Sequence, residues 1–445
     1  MTTRWFAAVA ATLILAGAAY ADRPVVLAGG TLVDGYGGTP LHDSVVIIEG
    51  ERISAVGTVS NIAIPEGAEV ISTEGMTVLP GLWDLQVHLA RLGHGDERRW
   101  ADTYLPIAER VVMPLAARQL LAAGVTSARV LDVPLEAAAG MRDRIRDQRI
   151  PGPTLFVTGP RLGKLPEVSA ATPQWTISGE NDARSRVARL AAAGADYVLL
   201  ADVDLWQDDE LASAVNEARV RNLGVFALAA RPDSIRRSLA VGVDGFLGLD
   251  ETVAPSLSDE LVEAIAQRTK DSRQRPLSWS PAVSGLLNYE DLQRDAEPLD
   301  DPYVVEGLPP LVAADVLSSL RSLGSVNWYE MPASRAPILC SRVRQLGDAG
   351  VMLVLGSDSG APAHLHSRAA WQEIDFWVRD CGVEPARAIQ AATHDAAAAM
   401  RVEHESGTIT PGKFADVIAV RGDVLRNPGL LQHVDMVFRH GQRYR

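Results

Sequence analysis

Between residues 24 and 80 the apolar positions fall in short, β-branched runs broken by turn residues. Val25-Val26-Leu27, Ser44-Val45-Val46-Ile47-Ile48 and Arg52-Ile53-Ser54-Ala55-Val56 read as strands, and Glu49-Gly50-Glu51 between two of them reads as a hairpin. The far end has the same texture. Asp416-Val417-Ile418-Ala419-Val420 and Asp435-Met436-Val437-Phe438 are strand-like, and His440-Gly441 makes a turn before Gln442-Arg443-Tyr444. Two β-rich ends around a long middle predict one small β-sandwich built from residues 22–80 and 405–445.

The middle, 81–404, alternates short apolar runs with helical stretches of 10–18 residues. The strands expected are Leu82–His88, Val125–Asp132, Thr154–Thr158, Tyr197–Leu200, Val225–Ala229, Gly245–Leu249, Leu277–Ser280 and Met352–Leu355. Pro106–Ala123, Asp208–Asn222 and Asp259–Lys270 are among the helices expected between them. Eight strands with helical crossovers make an α/β protein, a (β/α)8 TIM-type barrel. Two interruptions, Gly159–Asn181 and Gly285–Met331, follow candidate strands and so lie over the end of the barrel where such folds keep their chemistry.

Residues 1–21 stand apart. Arg4, the apolar run Trp5–Ala19 and the Ala19-Tyr20-Ala21 site form a secretory signal, with cleavage after Ala21. The run is short for a membrane span, which needs about 20 apolar residues; an uncleaved anchor is the other reading. The mature chain is then exported, periplasmic or secreted, with no membrane attachment after cleavage.

Composition narrows the partners. Apolar residues are 47% and charged residues 22%, the mix of a globular protein. The net charge of −14, without a Lys/Arg cluster, argues against nucleic acid and against anionic membrane surfaces. The two cysteines, Cys340 and Cys381, lack C-x-x-C spacing, so they build no zinc ribbon or redox motif. They read as small buried apolar residues, and a disulfide between them stays open.

Several segments resemble the amidohydrolase superfamily, in particular its prolidase-like and imidazolonepropionase-like members. They are Val78-Leu79-Pro80-Gly81-Leu82-Trp83-Asp84-Leu85-Gln86-Val87-His88, Ala123-Gly124-Val125-Thr126-Ser127-Ala128-Arg129, Gly356-Ser357-Asp358-Ser359-Gly360 and Gly407–Ile418. The resemblance implies the barrel and split sandwich read above. It also implies metal-dependent hydrolysis of C–N bonds, in amide- or peptide-like molecules, with one or two divalent ions activating water. The family's ligands are His-x-His on strand 1, a carboxylated Lys or a Glu near strand 4, a His on each of strands 5 and 6, and an Asp on strand 8.

Here those positions carry Gln86 and His88, Leu199, Leu228, Gly248 and Asp358. Two of six survive, and no histidine lies between His94 and His364, so no shift of register restores strands 5 and 6. Three protein ligands are the usual minimum for catalytic zinc. The expectation is therefore a degenerate member that keeps a pocket for a small amide- or peptide-like molecule and holds no cofactor. His88 and Asp358 remain as remnant metal positions, Asp358 as the candidate catalytic carboxylate, and His364 and His366 as candidate substrate-binding residues. One alternative is an active hydrolase with a divalent ion, zinc or similar, in an unorthodox site of His88, Asp358, His364 and His366. Another is a non-catalytic subunit or interaction protein, and a homo-oligomer stays open. His364 and His366 otherwise read as surface or capping residues, Lys164 as exposed, and His94 as part of a solvated charged loop. His42, His394, His404, His433 and His440 read as structural.

Overall fold

The structure, a computed structural model, describes residues 23–166, 173–229, 231–249, 256–323 and 336–445. The segment read as a secretory signal and part of each interruption lie outside them. Among the described residues no helix is long and apolar enough to cross a membrane.

The two ends of the chain meet in one eight-stranded sheet. The first five strands are β1 (Val25–Leu32), β2 (Leu41–Glu49), β3 (Arg52–Thr58), β4 (Glu69–Ser72) and β5 (Met76–Pro80). Gly50, at φ 57°, turns the β2–β3 hairpin. After the barrel strands β6–β15, given below, come β16 (Val417–Arg421), β17 (Met436–Arg439) and β18 (Gln442–Arg443). β16 pairs antiparallel with β5, so the order runs β18-β17-β16-β5-β1-β2-β3, with β4 beside β1. The far edges approach each other. Ile53 donates to the Lys413 carbonyl and Gly412 to the Ile53 carbonyl, folding the sheet around Leu27, Val46, Ile48, Val78, Val417 and Phe438. The expected sandwich is consistent with this sheet.

The barrel strands fall where the apolar runs placed them: β6 (Leu82–Val87), β7 (Val125–Val130), β8 (Thr154–Val157), β11 (Tyr197–Leu200), β12 (Gly224–Leu228), β13 (Gly245–Leu247), β14 (Ser278–Ser280) and β15 (Met352–Leu353). All pair in parallel. Two short strands of the first interruption, β9 (Arg161–Gly163) and β10 (Gln174–Thr176), extend the sheet beside β11. The barrel closes where Leu85 donates to the Leu355 carbonyl and His88 to that of Ser359.

Alternation sorts the side chains. Val198, Leu200, Val225, Ala227, Phe246, Trp279 and Leu353 face outward into a helix-covered core. Trp83, Leu85, Leu131, Tyr197, Leu199, Phe226, Leu247 and Val354 fill the lumen. Arg129 shares that lumen. Its Nε donates to the Leu85 carbonyl, its guanidinium lies 4.2 Å from the Phe226 ring centroid, and burial holds it down to about 10.

Three readings are corrected. The run Pro106–Ala123 is not one helix: it is a 3₁₀ turn (Leu105–Ile107), a π turn (Ala108–Val112) and an α-helix (Met113–Ala122). Pro106 and Pro114 have no amide hydrogen and can stand only in the first turns of such pieces. The cysteines are not free: Cys340 and Cys381 form a buried disulfide from the helix Ala336–Asp348 to the turn after the helix Ala369–Arg379. Lys164 is half-buried rather than exposed, pairing with Glu210 at 2.9 Å and donating to the Ile177 carbonyl.

Candidate functional site

The site forms where strand ends converge at the mouth of the barrel. β6 carries a bulge: Asp84 pairs with Ala128 and Val87 with Val130, three steps against two. The extra residue resets the alternation, so Leu85 stays in the apolar filling while Gln86 and His88 reach across to Asp358. Asp358, just beyond β15, has φ 57°, and Asp132, beyond β7, has φ 51°. This left-handed backbone is one that aspartate tolerates and that clusters at functional positions.

Five side chains form a chain of contacts. Gln86 Nε2 donates to Asp358 Oδ1 at 2.9 Å. His88, with its proton on Nε2, donates to the same oxygen at 2.9 Å. On its other side His88 Nδ1 lies 3.3 Å from Asp132 Oδ2, and Asp132 takes both Nε and Nη2 of Arg161. Burial pushes the Asp358 carboxyl up, but the charge and hydrogen bond of His88, with His364 and Gln86, outweigh it and hold it down to about 2. Among the described residues Asp358 Oδ2 accepts no short hydrogen bond; His364 Nδ1 lies 3.9 Å from it.

Below this chain Asp84 is fully buried. It accepts from the amides of Ser357 and Gln86 and from the hydroxyl of Ser357. Burial raises its carboxyl and these donors oppose the rise. The network fixes the segment that carries Asp358 against β6.

His364 and His366 are buried, not on the surface. His364 Nδ1 donates to the Asp358 carbonyl at 3.2 Å. Its ring packs against Gly285, where a Cβ would fall 1.6 Å from Cε1. Glu373 holds that helix start, accepting from the amides of Val283 and Ser284 and from Trp377 Nε1. His366 Nε2 donates to the Arg91 carbonyl at 2.8 Å, and its Nδ1 meets Ser359 Oγ at 3.1 Å. Both its nitrogens are engaged within the protein. Burial holds His366 down to about 4.

His94 is also buried rather than solvated. Trp100 and Tyr104 pack near its ring, and Asp315 of the second interruption covers it, bound in turn by Arg99 and the Tyr104 hydroxyl. Asp132, Arg161 and Asp84 were not singled out from sequence. For Asp132 the available signal was its place at the C-terminal end of a predicted barrel strand.

The donors do not fit a divalent ion. Leu199 lies in the lumen filling, Gly248 has no side chain, and the one imidazole near Asp358 Oδ1 is hydrogen-bonded to it directly. Among the described residues no three of His, Cys, Asp and Glu are grouped to hold a metal.

The low value of Asp358 carries a pH prediction. A depressed carboxyl contributes its full stability above its unfolded value near 4 and loses it as pH falls towards 2. Asp358→Asn should therefore cost about 2 kcal/mol at pH 7, and the gap from the parent should close between pH 4 and pH 2. Urea unfolding of both proteins across that range checks this, and a gap that stays constant contradicts it.

The Amidohydrolase family model matches residues 331–443. Over 100 residues the chain is 33% identical to an adenine deaminase of Rubrobacter xylanophilus, a stretch covering 22% of this chain and only 15% of that relative. The "putative prolidase" of Bifidobacterium longum superposes with a TM-score of 0.71 at 25% identity, covering 95% of both chains. A Xaa-Pro dipeptidase with methionine bound in its active site gives a TM-score of 0.72 at 20% identity, covering 95% of this chain and 99% of that one. The chain is thus similar to the Amidohydrolase family over its C-terminal part, and shares its architecture with the prolidase-like proteins over nearly its whole length.

Proposed function

We propose that this chain is an exported amidohydrolase-superfamily protein that has given up metal-dependent hydrolysis and keeps the barrel mouth as a binding site. One observation carries the reading: where the family pattern calls for further ligands the barrel holds Leu199 and Leu228 among its apolar filling and a glycine at 248, so His88 and Asp358 alone keep the family's ligand types. The hydrolysis that defines the family acts on C–N bonds, and the similar proteins named above are a deaminase and peptidases. A small amide- or peptide-like molecule is the ligand we infer. Asp358 Oδ2 would accept an N–H from it, since Oδ1 is already shared by two donors. Asp358 then serves recognition and not proton transfer. The buried Cys340–Cys381 bond supports an oxidising compartment, and so export.

The test has two arms on the purified chain. Elemental mass spectrometry after equilibration with zinc, manganese and iron should find less than about 0.1 equivalent of each, against the three-ligand sites that hold catalytic zinc. Calorimetric titration with dipeptides and N-acyl amino acids should show binding that Asp358→Ala abolishes, without turnover. Near one equivalent of metal, lost in His88→Ala or Asp358→Ala and accompanied by amide hydrolysis, overturns the proposal in favour of an unorthodox metal centre.

A further inference from the structure

A pocket lies at the starts of β12, β13, β14 and β15, the end of the barrel away from Asp358. Its volume is about 260 Å³, and its lining includes Phe226, Met352 and Ala398 on the apolar side. Arg275, Arg401 and Asp244 supply its charge, with Glu403 exposed at the rim. Barrel enzymes keep their chemistry at the other face, so the site chemistry described above does not account for this one.

The two guanidiniums are held side by side. Asn222 Oδ1 accepts from Arg401 Nη1 at 3.0 Å and from Arg275 Nη2 at 3.5 Å. Arg401 Nη1 also reaches the Asn222 carbonyl at 3.3 Å. Gly224 leaves room for this arrangement, because a Cβ there would lie 3.2 Å from Arg401 Nη2. The counter-charge is thin. Asp244 Oδ2 is 4.0 Å from Arg275 and already accepts from the Val225 amide at 2.8 Å. Among the described residues Arg401 has no ion-pair partner, and its hydrogen bonds go to Asn222. Burial and the neighbouring Arg275 charge both disfavour its cationic form, and Asp244 only partly offsets them. A third cation adds to the field. Arg129 lies over the Phe226 ring from within the lumen, with Nη1 and Nη2 buried and without a hydrogen-bond partner among the described residues.

We infer that this pocket binds a small organic anion, a carboxylate carrying a short aromatic or branched apolar body. The carboxylate would lie between Arg275 and Arg401, where planar two-point contacts to guanidinium are available. The apolar body would rest on Phe226 and Met352. The volume is just below the usual range for drug-sized ligands, which suits a body of about ten non-hydrogen atoms.

Phenylacetate is the probe, with phenethylamine as a cation of matching shape. Saturation-transfer NMR and calorimetry on the full chain should show phenylacetate binding and little binding of the amine. Arg275→Gln and Arg401→Gln should each weaken phenylacetate by about tenfold, the loss of one charge-assisted contact. Arg275 lies near the surface, so its variant tests the pocket even if Arg401→Gln fails to fold. Asp358→Ala should leave phenylacetate binding unchanged, which separates this site from the one at the barrel mouth. The inference is overturned if phenylacetate shows no binding up to about 10 mM, the weak limit of a specific site. It is equally overturned if the amine binds as well, or if Arg275→Gln binds like the parent.

Discussion

Replacing Glu373 by alanine is expected to cost about 3–5 kcal/mol of folding stability, seen as an early midpoint in urea unfolding. The side chain is fully buried and accepts from three donors: the amides of Val283 and Ser284, and the indole of Trp377. Alanine leaves all three without a partner in a space closed to water, at about 1–3 kcal/mol each before relaxation, and opens a cavity as well. Burial also pushes the Glu373 carboxyl up, so relief of a buried charge returns part of the loss. Glu373→Gln separates the terms. One amide oxygen still serves Val283 and Trp377, but the NH2 group meets the Ser284 N–H donor to donor, and about 1–3 kcal/mol is expected. The effect extends to the site. Residues 283–284 set the helix whose Gly285 lies against His364, so Glu373→Ala should also weaken binding at Asp358. An alanine variant as stable as the parent would mean that this helix start is held by something else.

Removing the Cys340–Cys381 bridge should have a comparable effect. The bond closes a loop of 41 residues. In the chain-entropy account such a loop is worth about 4 kcal/mol, which engineered cases often undershoot. Cys340→Ala with Cys381→Ala should lower the melting temperature by several degrees and make it insensitive to dithiothreitol, while the parent melts earlier when reduced. A parent that shows two free thiols on alkylation under non-reducing conditions would refute the bridge.

Much of this architecture was legible because it rests on short-range pattern. The eight barrel strands follow from apolar runs of 4–8 residues, and the helix Asp259–Lys270 from its period and its Ser258 cap, whose side chain accepts from Leu261 N. The composite sheet followed from the matching texture of the two ends. The site was legible only in part. His88 and Asp358 stood at positions a motif marks, whereas Asp132, Arg161 and Asp84 are ordinary residues given a role by barrel closure. The burial of His94 was invisible for a related reason. Arg91, Asp96, Glu97, Arg98 and Arg99 suggest a wet loop, and what covers His94 is Asp315, more than 200 residues away. The disulfide likewise joins a helix to a turn that spacing alone does not bring together.

The pairing of β5 with β16 sets an order of events for a chain made from its N-terminus. Met76–Pro80 finds Val417–Arg421 only after some 340 further residues have been made, including the whole barrel. Until then one side of β5 is an open hydrogen-bonding edge on an apolar strand, the kind of surface that recruits foreign strands. On the reading that the chain is exported, it crosses a membrane with this seam unclosed. Holding factors on the far side would be needed most in that interval, and a late stop codon would harm more than its few lost residues suggest, because it would leave the first-made strands without the neighbour that completes them.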